Sequence, residues 1–279
     1  MIKEKIAQKY EEMSKTQKKI ANFVLQNITT VSYFNIQQLA DAVGTSEASI
    51  LRFCTFLGYR GFPEFKSELQ KAAKEQMTMK DRLEISRRAY DEKEAGIAEI
   101  FHQDVNRIEH TLDELDMDMF FATCQQIILA KRIYILAARS AAALGQFFQY
   151  YLNMTLGNVE LITSFDCHAD LLCDVSKDDV VIGITFSRYS TVTDEMFAYA
   201  HERGAVTVAI TDSVVSPIVK NAAYYFLTET AMPSYIDSFV APLTLINAIL
   251  VEIGRNRNIE LSDRISKLET FSRRFEIFE

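Results

Sequence analysis

The chain has 279 residues, 48% hydrophobic and 24% charged, which suits a folded globular protein of two domains. No apolar run approaches the roughly 20 residues needed to cross a membrane, and Met1-Ile2-Lys3-Glu4-Lys5 lacks a signal-peptide core, so a cytoplasmic protein is expected. The net charge of −8 is uneven: residues 1–80 hold 12 Lys and Arg against 8 Asp and Glu, and the rest hold 18 against 30. A basic front on an acidic body is the split expected when only the first part meets phosphates.

From Ile6 to Asn27 the pattern predicts one or two helices, broken and capped around Ser14-Lys15-Thr16-Gln17, with Ile20, Phe23, Val24 and Ile28 as the apolar face. Residues 36–60 then read as a helix-turn-helix. Ile36, Leu39, Ala40 and Val43 share one face, and Gly44 sits where a helix stops and a positive φ is needed. Ser46 is placed to cap the next helix through its hydroxyl. In that helix Ile50, Cys54 and Leu57 point inward, while Thr45, Ser49 and Arg52 point to the side where a recognition helix meets base edges and phosphates. Arg52 is the leading candidate for a base or phosphate contact. Arg60, Lys66 and the Lys15/Lys18/Lys19 cluster are candidates for the DNA backbone. Pro63 fits the first turn of a helix carrying Phe65 and Leu69, and the all-α module ends near residue 77. Residues 78–96, charged and without apolar period, read as a linker.

A helical pattern resumes from Ile97 through Ile100, Val105, Ile108 and Leu112, then from Met119 to Leu129. Beyond residue 131 short apolar runs alternate with helices. Strands are predicted at 133–136, 158–162, 179–184, 205–210 and 223–227, with helices at 141–156, 193–203 and 238–254. That alternation predicts an α/β domain over 97–279, with a parallel sheet covered on both faces. Three strand ends carry hydroxyl-rich turns: Ala138-Arg139-Ser140, Thr185-Phe186-Ser187-Arg188-Tyr189-Ser190 and Thr211-Asp212-Ser213. Hydroxyls, arginines and free N–H groups at helix starts suit a phosphate. Each turn also fits the plainer role of a helix cap.

Leu39-Ala40, Arg52-Phe53-Cys54 with Leu57-Gly58-Tyr59-Arg60-Gly61-Phe62, Asp179 to Ser190 and Gly204 to Ser213 together resemble the RpiR family of transcriptional regulators. The resemblance spans nearly the whole chain. It implies a three-layer sugar-isomerase-type (SIS) domain behind the helix-turn-helix, binding of operator DNA, a phosphosugar-type effector and a homodimer or homotetramer. Such SIS domains usually carry a G-x-G-x-S turn after the first strand; here Leu136 and Ala138 stand at the glycine positions and Ser140 is retained. The second phosphate loop, usually S-x-S-G-x-[ST], reads Thr185, Ser187, Arg188 and Ser190. Candidate effector contacts are therefore Ser140, Thr185, Ser187, Arg188, Ser190 and Ser213.

No cofactor is implied. The four cysteines (Cys54, Cys124, Cys167, Cys173) lack metal-ligand spacing, and no metal is assigned to Asp166-Cys167-His168 with Asp170 and Cys173. Two other readings stay open. One is a phosphosugar isomerase with Glu195, His201 or His168 as the base, although nothing brings two of them together. The other is a regulator whose SIS domain only dimerises.

Overall fold

The computed structural model describes residues 2–74, 82, 83, 86 and 93–275. The chain divides into two compact units, Met1–Glu99 with Ala231–Asp237, and Ile100–Thr230 with Ser238–Glu279. Most of the predicted linker lies outside the described residues, and a helix begins within it at Lys93.

The first unit is helical: α1 (Ile2–Lys9), α2 (Lys15–Gln26), α3 (Ile28–Val31), α4 (Ile36–Val43), α5 (Glu47–Phe56) and α6 (Phe62–Lys74). Its breaks are written in polar side chains. The Ser14 hydroxyl accepts from the Gln17 N–H while the Gln17 side chain accepts from the Ser14 N–H, and Asn35 with Gln38 repeats this box at α4. Ile20, Val24, Leu39, Val43, Ile50, Phe53, Phe65 and Leu69 form the core. Phe53 meets Phe65 edge-on with ring centroids 5.8 Å apart. Phe53 was absent from the predicted inward stripe of Ile50, Cys54 and Leu57, all of which are buried.

α7 (Lys93–Asp113) begins in the first unit and continues from Ile100 in the second, where it and α8 (Met117–Leu129) precede a five-stranded sheet. Its strands are β1 (Ile133–Ala137), β2 (Val159–Ile162), β3 (Val180–Ile184), β4 (Val206–Thr211) and β5 (Tyr224–Leu227), in the order β2-β1-β3-β4-β5. Every pairing is parallel, with Ala137 beside Ile184 at the carboxyl ends of β1 and β3. Parallel strands need crossovers, supplied by α9 (Ala142–Leu156) and α10 (Thr191–Glu202); α11 (Val240–Asn256) and α12 (Asn258–Arg274) follow β5. Ile133, Ile135, Ile182 and Val208 face Phe148, Leu152, Ile246 and Ile249 on one side. Tyr134, Leu136, Val181 and Ala209 face Met196, Phe197 and Ala200 on the other. Coverage of both faces explains why these strands read as continuous apolar runs rather than alternating ones.

The amino edge of the sheet is fixed by an ion pair. Asp179, 1% exposed, accepts from Arg132 Nη2 at 2.9 Å and from the Ser176 N–H at 2.8 Å. Burial alone would raise the Asp179 carboxyl; the Arg132 and Ser176 donors outweigh it and hold the group below its ordinary value. Two features depart from the sequence reading. α12 was not foreseen, and of the apolar face predicted on α7, Ile100 and Ile108 are half-buried while Ile97, Val105 and Leu112 stay exposed, as does Phe101.

Candidate functional site

The first candidate surface is built on α4 and α5. The chain leaves α4 through Gly44 at φ +68, donating its N–H to the Asp41 carbonyl while Thr45 donates to the Ala40 carbonyl. This paired closure needs the left-handed conformation that glycine adopts without a side-chain penalty. Gly58, at φ +89, closes α5 the same way, with its N–H to the Thr55 carbonyl and that of Tyr59 to the Cys54 carbonyl. Two such stops isolate a ten-residue α5 about 15 Å long, suited to a DNA major groove.

The outward face of α5 carries one polar row. Ser46 and Ser49 pair through their hydroxyls at 3.0 Å, and Arg52 Nη2 donates to the Ser49 hydroxyl at 3.2 Å. Ser46 holds the N-cap position, yet its hydroxyl bonds Ser49 rather than the backbone N–H groups of the first turn, which corrects the expected cap. The bond to Ser49 takes one of the five guanidinium N–H donors of Arg52 and sets its direction along the helix. Ser46 and Arg52 are exposed and Thr45 and Ser49 half-buried. Arg60 is exposed, its backbone N–H donating to Glu64 at 2.6 Å. Lys19 donates to the Gly44 carbonyl at 3.4 Å, so a predicted backbone-contacting lysine sits on the turn itself. Lys66 is half-buried, and burial draws its ammonium below the ordinary value against the pull of Glu99. Its half-burial leaves it less open to solvent than the exposed Arg60.

The second candidate lies at the carboxyl ends of β1, β3 and β4. The strand order reverses between β1 and β3, and in open α/β sheets ligands bind at this switch point. The chain after each of these two strands passes through an arginine: Arg139 at φ +57 and Arg188 at φ +67. Among the described residues these are the non-glycine positions with positive φ. An arginine there costs of order 1 kcal/mol in backbone strain, a cost that collects at functional sites. Both side chains are exposed, as is Ser140.

The β3 loop is braced from β4. Asp212 accepts from the Ser187 N–H at 3.2 Å and from the Tyr189 hydroxyl at 3.0 Å. Thr185 accepts from the Ser190 N–H at 3.4 Å, and the Ser190 hydroxyl caps α10 by accepting from the Thr193 N–H at 3.3 Å. The Ser213 hydroxyl accepts from the Val215 N–H at 3.3 Å. Thr185 and Ser213 are buried, whereas Ser187 and Ser190 are half-buried and Ser140, Arg139 and Arg188 are open. The predicted hydroxyls therefore split into an outer set and a supporting set. Sequence reasoning missed Asp212 and Tyr189 as the brace; their spacing to Ser187 gave no sign of it.

Glu195, His201 and His168 are exposed. No three His, Cys, Asp or Glu side chains among the described residues converge as metal ligands would. Burial pushes the Cys54 and Cys124 thiols up to about 12, which leaves them poor nucleophiles. No helix among the described residues is long and apolar enough to cross a membrane.

Known proteins align with both halves. The profile of the helix-turn-helix domain of the rpiR family matches residues 1–76, and that of the SIS domain matches residues 126–252. An HTH-type transcriptional regulator of Caldanaerobacter subterraneus subsp. tengcongensis is 28% identical, over 86% of this chain and 85% of its own. The regulator HexR of Escherichia coli is 23% identical, over 95% of this chain and 92% of its own. Among solved structures, the sugar isomerase domain of an RpiR transcription factor from Sphaerobacter thermophilus superposes with TM-score 0.60 at 24% identity, over 62% of this chain and 97% of that one. Vibrio vulnificus NanR complexed with ManNAc-6P superposes with TM-score 0.57 at 16% identity, over 99% of both chains.

Proposed function

The chain belongs to the rpiR family of helix-turn-helix transcriptional regulators, and we propose that its two candidate sites divide that work. Residues 1–77 bind operator DNA through Thr45, Ser46, Ser49, Arg52 and Arg60. Residues 97–279 sense a small phosphorylated metabolite, and residues 78–96 join the two. The observation that carries the DNA assignment is the hydrogen-bonded polar row Ser46–Ser49–Arg52 along α5, with Ser46 and Arg52 exposed. Arg52 reads a base edge or anchors a phosphate, while Arg60 and Lys19 neutralise backbone charge.

The effector is a phosphosugar-type anion held at the switch point. Arg139 and Arg188 supply guanidinium donors, and Ser140, Ser187 and Ser190 supply hydroxyls, with Thr185 and Ser213 holding the loops behind them. α9 has no side-chain cap at its start, which favours an anion there. The phosphosugar held by NanR supports this choice of class. The exposed positions of Glu195, His201 and His168 give an isomerase reading no assembled base. The protein operates in the cytoplasm, where its DNA lies.

The active form is a homodimer, or a tetramer built from it. α7 presents Ile97, Phe101, Val105 and Leu112 in one stripe, with Phe101 71% exposed. A groove of about 820 Å³ lined by Phe147, Tyr151, Leu250, Val251, Leu261 and Ile265 adds a second apolar surface. A two-fold dimer places paired recognition helices on half-sites one helical turn, or a multiple, apart. Thermal shift against sugar phosphates tests the sensor, because a ligand at 100 times its Kd stabilises by about 2.7 kcal/mol. A shift that survives Arg139→Ala with Arg188→Ala would move the anion elsewhere. No shift with any sugar phosphate would leave a SIS domain that only dimerises.

A further inference from the structure

The segment that leads from β5 into α11 is held at both ends. At its start the Thr228 N–H donates to the Thr211 carbonyl at 2.8 Å, and the Glu229 N–H donates to the Thr111 hydroxyl of α7 at 3.1 Å. At its end the Ser238 N–H donates to the Thr230 carbonyl at 3.0 Å, and the Ser238 hydroxyl donates to Asp104 of α7 at 2.6 Å. Phe239 follows at once and packs on Phe186 with ring centroids 5.3 Å apart. Phe186 is the residue before Ser187 in the β3 loop.

Between those feet, residues 231–237 group with the N-terminal unit, although the chain on both sides belongs to the C-terminal one. Arg82 is bonded to this segment. Its Nε donates to the Ser234 carbonyl at 2.8 Å, and its Nη2 donates to the Ile236 carbonyl and to Asp237 Oδ1, each at 2.7 Å. The residue is 7% exposed. Burying a guanidinium is costly unless its donors are met, and three of its five here go to one seven-residue stretch. Arg82 follows the last residue of α6, Lys74, and precedes the start of α7 at Lys93. It therefore stands on the only covalent path from the DNA-binding helices to the sheet.

We propose that Arg82 and residues 231–237 form a latch that carries the state of the effector loops to the DNA-binding module. The inference rests on the effector site assigned above. An anion that reorders residues 186–190 moves Phe186 against Phe239, and the latch segment has Phe239 as its foot. A shift there is felt by three bonds on Arg82. The latch is thus a two-state element that the effector biases at one end and DNA affinity reads at the other.

The test uses the full chain, with Arg82→Ala and the charge-keeping Arg82→Lys, read by hydrogen–deuterium exchange and by affinity for a DNA fragment that the wild type selects. Amides of residues 231–238 are expected to exchange at least tenfold faster in both variants, with β1 and β3 unchanged. DNA affinity is expected to move at least fivefold. Asp237→Asn, which leaves both carbonyl contacts in place, is expected to reproduce the effect in smaller measure and guards against a variant that does not fold. Unchanged exchange would overturn the latch. Faster exchange with DNA affinity unmoved would make Arg82 a local brace and overturn it equally. A wild type that selects no DNA would instead refute the regulator assignment itself.

Discussion

The helix-turn-helix and the loops after β1 and β3 bend the chain through the same left-handed conformation and fill it with opposite residues. At the turn between α4 and α5 the position belongs to Gly44, at φ +68. After β1 and β3 it belongs to Arg139 and Arg188, at φ +57 and +67. In the first region the bend is what matters, and glycine supplies it at least strain. In the second region glycine would do the same, yet two long cations stand there at the cost of strain. The difference fits the proposed division of work: a shape around α5, and charge at the switch point of the sheet.

A third arginine calibrates the comparison, because Arg132 does structural work at the opposite edge of the same sheet. Arg132→Ala leaves buried Asp179 with only its Ser176 donors, and because the Arg132 side chain is 36% exposed, unfolding by urea is expected to show a loss of about 1–3 kcal/mol. The pH dependence has a definite sign. The Asp179 carboxyl is held below its ordinary value, so its contribution is present above pH ~4 and is lost as pH falls through the folded pKa. The stability gap between wild type and Asp179→Asn is therefore expected to narrow in acid. A gap that widened would mean the pair is not formed.

At α5, Arg52→Ala is expected to weaken specific DNA binding by roughly 1–3 kcal/mol in a fluorescence anisotropy titration. Unchanged binding would remove Arg52 from the contact set. Gly44→Ala is expected to cost about 1 kcal/mol in thermal unfolding, since a Cβ there is strained and meets Lys19 Nζ at 3.4 Å. The smallest effect sharpens the comparison most. Arg188→Gly is expected to change stability by less than about 0.5 kcal/mol, because relief of strain offsets the added chain entropy, while protection by sugar phosphates falls. A large loss of stability would make Arg188 structural, like Arg132.

Much of this was legible in the sequence, for reasons that differ by element. Buried strands such as 133–137 and 180–184 announce themselves as apolar runs because both faces are covered. Gly44 and Ser14 mark helix ends through local chemistry that needs no tertiary knowledge. What stayed hidden depends on contacts distant in the chain. Asp212 braces a loop 25 residues away, and Arg82 meets residues more than 150 positions further on. Ser46 misled because a nearby hydroxyl, Ser49, competes with the backbone for the same bond. α12 escaped because its stripe of Leu261, Ile265 and Leu268 sits among charged residues and is largely exposed.

The central claim is that one chain couples DNA recognition by α5 to an anion at the ends of β1 and β3. The direct measurement is anisotropy of a genomic fragment selected by the wild type, titrated with protein with and without the sugar phosphate that gives the largest thermal shift. The sugar phosphate is expected to move the wild-type Kd at least fivefold and to leave that of the Arg139→Ala, Arg188→Ala double variant unmoved. A wild-type Kd indifferent to that ligand, or a double variant that responds as the wild type does, would contradict it.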